Sequence, residues 1–320
     1  MGTKKNNHLL PRMVIKRWEA HNGKIFDKEI NQIREVEQLD YSKEYYYSLG
    51  KVDDELENRI SVFEGYVGRI LKQLNEATDK VELSEKNMEI LKLYACLQSC
   101  RNDNTSSYIN EDESGIYQNN NYIFGTPVIS TQDEAVKITS LICDEFERIK
   151  KLDNNMKYNY QFMKFDGIYS MMGIGLHLVI VGNDSNEFLV SETTAIVECT
   201  LDGDYLFTYV PVSPKIGLIL AKSKYFYSKD VIENTKVRLG MKHGGYPDPY
   251  LSEALDDEKL IFNGKPNSDK VTFKIVKLDM TEIVKLNTVI YEDGHKILFS
   301  NEDALKNAKI DNKSRKVRVV

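Results

Sequence analysis

The apolar residues of this 320-residue chain change their spacing part-way along it. Between residues 53 and 77, Leu56, Ile60, Phe63, Val67, Ile70, Leu71 and Leu74 recur at three- and four-residue intervals. That spacing puts them on one face of a long helix. Asp53, Asp54 and Glu55 suit its positive N-terminal end. A second helix is predicted from about 84 to 101, with Ser84 as N-cap and Ile90, Leu91, Leu93, Tyr94 and Leu97 as apolar positions. A third is predicted over 133–151, its core side formed by Val136, Ile138, Leu141, Ile142 and Phe146. Beyond a polar connection at 153–160 the pattern becomes short apolar runs bounded by turn residues: 175–181, 188–190, 195–198, 205–210 and 216–221. Residues 183–186 and 202–204 read as hairpin turns between such runs. A last helix is expected over 280–292, then a short strand at 296–299. The fold class is therefore α+β, with a helical N-terminal half packed on an antiparallel or mixed β-sheet C-terminal half. The helical lobe spans 29–152 and the β-rich lobe 153–320. From about 306 the tail is basic, and 316–320 reads as an edge strand with cations facing out, or as a phosphate-binding patch.

The first 28 residues read helix, turn, strand. Pro11 suits a helix start, because the N–H it lacks would be unbonded there anyway. Val14 and Trp18 then share one helical face, while Arg12 and Lys16 share another. The stretch can bury an apolar stripe and still project His8, Arg12 and Arg17 towards a common pocket. Asn22-Gly23 marks a tight turn into a strand at Ile25 and Phe26. From 29 to 50 the pattern is weak, and the cluster Tyr45, Tyr46 and Tyr47 reads as half-buried packing.

Charge and composition exclude several classes. Lys+Arg 43 against Asp+Glu 49 gives a net charge of -6, so non-specific coating of nucleic acid or anionic membrane is not the main activity. Cys96, Cys100, Cys143 and Cys199 form no C-x-x-C pair. They read as reduced thiols of an intracellular, cytoplasmic protein rather than a zinc site. No secretory signal or run of about 20 apolar residues is present, so no membrane association is expected. There is no phosphate loop, H-E-x-x-H or G-x-S-x-G, and Gly173-Ile174-Gly175 falls short of a dinucleotide fingerprint. No metal and no cofactor is expected. Pro247-Asp248 and Asp257-Glu258-Lys259 spell the P-D…D-x-K of a metal-dependent nuclease. Their spacing is short, however, and 251–260 reads as a helical turn rather than the strand that such a core needs.

A dispersed constellation carries more. It comprises His8 and Arg12, Gln98 and Arg101, Ser191 and Glu192, and Asn287. Residues His8-x-x-Pro11-Arg12-x-x-Ile15-x-x-Trp18, then Gly23-Lys24-Ile25, resemble the opening of the bacterial family called domain of unknown function 4238. The resemblance continues through Leu56-Glu57, Glu64, Gln98-Ser99-Cys100-Arg101 and Phe188-Leu189-Val190-Ser191-Glu192. It goes on through Val210-Pro211-Val212-Ser213-Pro214 and Leu286-Asn287 to Lys296-Ile297-Leu298-Phe299. The family usually writes S-D-x-P where this chain has Ser191-Glu192-Thr193-Thr194, so the acid here is longer and the proline is gone. The resemblance implies one continuous family domain over 1–320.

The residue types suit acid–base work on an anion. His8 can move a proton near neutral pH with Glu192 orienting it. Arg12 and Arg101 can each grip a phosphate or carboxylate with two hydrogen bonds. His8, Glu192 and Arg101 are the catalytic candidates, and Arg12, Arg17, Gln98, Ser191 and Asn287 the substrate-binding ones. The expectation is an effector or defence-type enzyme, a nuclease among the readings, acting on a nucleic acid or nucleotide. The rival is a non-enzymatic sensor or subunit with a protein partner, in which the same residues form a structural network.

Overall fold

The structure, a computed structural model, describes residues 10–36, 54–100, 122–123, 126–127, 132–152, 176–192, 194–199, 205–222, 241–242, 246–247, 264–267 and 270–318. The first half contains α1 (Arg12–Glu19), β1 (Lys24–Asp27), β2 (Gln32–Glu35), α2 (Asp54–Glu76), β3 (Lys80–Leu83), α3 (Glu85–Cys100), β4 (Tyr122–Ile123), β5 (Thr126–Pro127) and α4 (Gln132–Lys150). Then come β6 (Leu176–Gly182), β7 (Ile196–Cys199), β8 (Tyr205–Pro211), β9 (Ile216–Lys222), β10 (Met241–Lys242) and β11 (Tyr246–Pro247). The chain closes with β12 (Gly264–Asn267), β13 (Lys270–Lys274), β14 (Val276–Lys277), α5 (Met280–Asp293), β15 (Lys296–Phe299) and α6 (Glu302–Arg318). The fold class is α+β, as the spacing predicts.

The central sheet has the order β14-β6-β9-β8-β7. It is antiparallel except where β14 runs parallel to β6, through Val276 opposite Val181. Period-two alternation splits its side chains between two cores. Leu178, Ile180, Val210, Leu218 and Leu220 pack against α2, α3 and α4, where Phe63 stacks on Phe146 with ring centroids 4.6 Å apart. Val179, Val181, Tyr209 and Ile219 pack against α5 and α6. Covering on both faces is why these strands read as continuous apolar runs rather than alternating ones. All seven apolar positions expected on α2 are buried, and the Ser84 hydroxyl accepts the Asn87 N–H at 3.2 Å to cap α3.

Two further sheets tie the ends of the chain together. β1 pairs with β15 from Lys24 opposite Phe299 to Asp27 opposite Lys296, and β2 lies on its other edge. β13 pairs with β12 and with β3, Val271 facing Leu83. Strands from both ends of the chain therefore share sheets across the 152/153 division. A third core, Leu10, Val14, Ile15, Trp18, Ile25, Val36, Val190 and Leu298, fixes α1 to this end of the molecule. α1 crosses α2 at Gly68, where an added Cβ would lie 3.4 Å from Met13 Sδ.

Several expectations are corrected. The basic tail does not form an edge strand: α6 runs to Arg318, with Ala304, Leu305 and Ala308 in the core. Their helical spacing commits the segment, whereas the Lys-Val-Arg alternation of the last residues is too short to compete. Residues 188–190 are not a strand of the sheet but make one bridge, Val190 with Leu298. Residues 183–186 are accordingly not a hairpin turn, because β6 pairs with β9 and β14. Pro247, of the P-D string, sits in β11. The strands β2, β3 and β12 to β14 are short and went unread in the sequence. Tyr45, Tyr46, Tyr47, Asp248, Asp257, Glu258 and Lys259 lie outside the described residues. Cys96 and Cys143 are buried and not disulfide-bonded. Among the described residues no helix is long and apolar enough to cross a membrane.

Candidate functional site

Residues 187–192 cross the end of the molecule as a buried strap whose main chain is held from several sides. The Phe188 N–H donates to the Pro214 carbonyl at 3.0 Å, in the turn between β8 and β9. Val190 and Leu298 exchange N–H to carbonyl bonds at 3.2 and 2.7 Å. Asn287, on the buried side of α5, completes the set. Its Oδ1 accepts the Leu189 N–H at 3.0 Å and its Nδ2 donates to the Glu187 carbonyl at 2.7 Å. The side chain thus stands in for a neighbouring strand, and both its polar atoms are engaged.

Ser191 and Glu192 end the strap. Ser191 is fully buried and sits hard against Gly294, where a Cβ would come within 2.7 Å of Ser191 Oγ. Only glycine fits there. Glu192 reaches the turn between α5 and β15. Its Oε1 accepts the His295 N–H, and its Oε2 accepts the Lys296 N–H at 3.0 Å. Burial pushes the Glu192 carboxyl above its ordinary value of 4.5, against the downward pull of these amides. Two residues on, the Thr194 hydroxyl donates to the Gln98 carbonyl at 3.0 Å, capping one of the last carbonyls of α3.

Gln98 has no exposed surface, and among the described residues neither its Nε2 nor its Oε1 has a hydrogen-bond partner. It lies one turn beyond the buried Tyr94 on the same face of α3. Tyr94 in turn faces Arg17 of α1, whose pKa is lowered by burial and raised in part by that tyrosine. Arg17 donates to the Gly68 carbonyl at 2.9 Å and to the Met13 carbonyl at 3.2 Å. Its guanidinium therefore pins α1 onto α2. Arg12 stands on the exposed face of α1 with Lys16. His8 and Arg101 lie outside the described residues. Among the described residues no three His, Cys, Asp or Glu side chains gather as a metal-binding group.

The structure thus brings Asn287 of α5 against the strap that ends at Ser191 and Glu192, and ties that strap to Gln98 through Thr194. It directs Arg17 towards α2. A family model described as Protein of unknown function (DUF4238) matches residues 6–304. The chain belongs to this family. No curated protein and no solved structure matches the chain. Within this DUF4238 chain the sequence anchors 188–192, 210–214, 286–287 and 296–299 are remote in sequence but meet around the strap. Glu192 reaches two backbone amides, and Thr194 reaches the end of α3. Sequence reasoning missed Thr194, Gly294 and the His295 and Lys296 amides. Adjacency to Ser191-Glu192 was a usable signal for Thr194. Backbone donors leave no mark in a sequence.

Proposed function

We propose that this chain is an enzyme of the effector or defence type acting on a phosphate-bearing substrate, a nucleic acid or nucleotide. Its site would lie where α1, the last turn of α3 and Ser191-Glu192 come together. The observation that supports the reading is Gln98. A fully buried amide with both heteroatoms unbonded destabilises a fold, and such groups are retained where function needs them. In this reading His8 moves the proton, and Glu192, held in place by the His295 and Lys296 amides, orients the imidazole. Arg12 and Arg101 hold the phosphate, Gln98 and Ser191 position the substrate, and Asn287, with both polar atoms on the strap, holds Ser191 and Glu192 in place. Arg17, bonded to main-chain carbonyls, supports α1 rather than meeting substrate.

One observation favours a second reading, a non-enzymatic sensor or subunit with a protein partner. Glu192, Asn287 and Arg17 each direct polar atoms at main-chain groups, as a structural network would. Cleavage and turnover assays on RNA, DNA and nucleotides, with and without Mg²⁺, separate the two. Under the enzyme reading His8→Ala abolishes turnover with the melting temperature retained. A melting temperature that collapses in His8→Ala, with no turnover in the wild type on any substrate, favours the network.

A further inference from the structure

Residues 183–186 follow β6, and the chain then runs on into the strap rather than back as a strand. The segment 185–187 instead lies against 300–303, the link between β15 and α6. Asn301 Nδ2 donates to the Ser185 carbonyl at 3.2 Å and to Glu187 Oε1 at 2.8 Å. Asn301 Oδ1 accepts the Asp303 N–H at 2.9 Å. On these two segments three buried oxygens have no hydrogen-bond partner among the described residues: Asn186 Oδ1, Glu187 Oε2 and Ser300 Oγ. Glu187 is only 5% exposed, and burial together with the charge of Asp303 pushes its carboxyl up. The nearby cations are engaged elsewhere, Lys277 with Asp184 at 2.5 Å and Lys24 with Glu302 at 2.8 Å.

We propose that Glu187, Asp303, Asn186 and Ser300 form a site for one Ca²⁺ ion between the 183–187 loop and the start of α6. All four ligands offer oxygen, the donor that a hard divalent cation takes. Carboxylate, amide and hydroxyl oxygens on irregular loops suit the flexible coordination of Ca²⁺ better than the strict octahedron of Mg²⁺. Ca²⁺ takes such oxygens at about 2.3–2.6 Å, so binding would draw the two segments together around the ion and satisfy the three orphan oxygens. The half-charge at the N-terminus of α6 opposes a cation, but two carboxylates outweigh it. The Glu187 carbonyl is also the acceptor for Asn287. Bound Ca²⁺ would therefore tether the strap that ends at Ser191-Glu192.

The test uses the full chain, stripped with a chelator and titrated with CaCl₂ by calorimetry and thermal melting. The expected result is one ion per chain and a saturable rise in melting temperature. Glu187→Gln and Asp303→Asn should each weaken binding about tenfold or more. Glu55→Gln, which removes the same charge from the exposed start of α2, should leave affinity unchanged. Absence of heat and of a melting shift at millimolar CaCl₂ overturns the proposal. Equal binding by all three variants also overturns it, since that is diffuse attraction to a chain of net charge -6. If Glu187→Gln does not fold, the exposed Asp303 decides.

Discussion

A buried polar atom without a partner destabilises a fold by roughly 1–3 kcal/mol, and among the described residues Gln98 carries two of them. Gln98→Met keeps the volume, leaves the main-chain carbonyl to Thr194 and removes both orphan atoms. It should raise the midpoint of urea denaturation by about 1–2 kcal/mol equivalent with an unchanged slope; a lower midpoint would show that the amide has a partner after all. Glu192 gives a pH signature. Its folded pKa lies above the unfolded value of 4.5, so around and above that value the unfolded chain holds fewer protons on this group than the folded one. Its contribution is thus most favourable below 4.5 and declines as pH rises through the raised folded pKa. The stability difference between wild type and Glu192→Gln, measured by denaturation from pH 4 upwards, should shift in the variant's favour. A flat difference would refute the raised pKa.

At the scale of elements, α5 positions the strap. It begins with a capping box: the Asp279 side chain accepts the Glu282 N–H at 2.9 Å, and Glu282 accepts the Asp279 N–H at 2.8 Å. Asp279→Ala should lower stability by about 0.5–2 kcal/mol in chemical denaturation, and Asp279→Asn should recover most of it. The helices with long periodic faces, α2, α3, α4 and α5, were legible because Leu56 to Leu74 and their counterparts repeat over several turns. α6 was not, since its core contact rests on Ala304, Leu305 and Ala308 within a strongly charged segment. β3 is a four-residue Lys-Val-Glu-Leu alternation between two helices, and its pairing with β13 comes from far along the chain. The alternation alone is too brief to be told from a loop.

At the scale of the molecule, β1 and β15 share one ladder although they lie at opposite ends of the chain, with α1 packed over it through Trp18 and Leu298. The amides of Phe26 and Ile297 should therefore exchange hydrogen as one unit, with matched opening free energies; faster exchange in β1 alone would mean that the N-terminal unit detaches independently. The sequence by itself determined the α+β class, the long helices and the apolar runs of the central sheet. These follow from periodicity and local chemistry, which act over a few residues. Only the tertiary structure decided that the sheet is covered on both faces, that residues 187–192 form a strap, and that Glu192 meets backbone amides. It also decided that Arg17 braces α1 on α2. Those outcomes depend on which distant groups satisfy each buried donor and acceptor, and pairing over such separations has no local spacing to announce it.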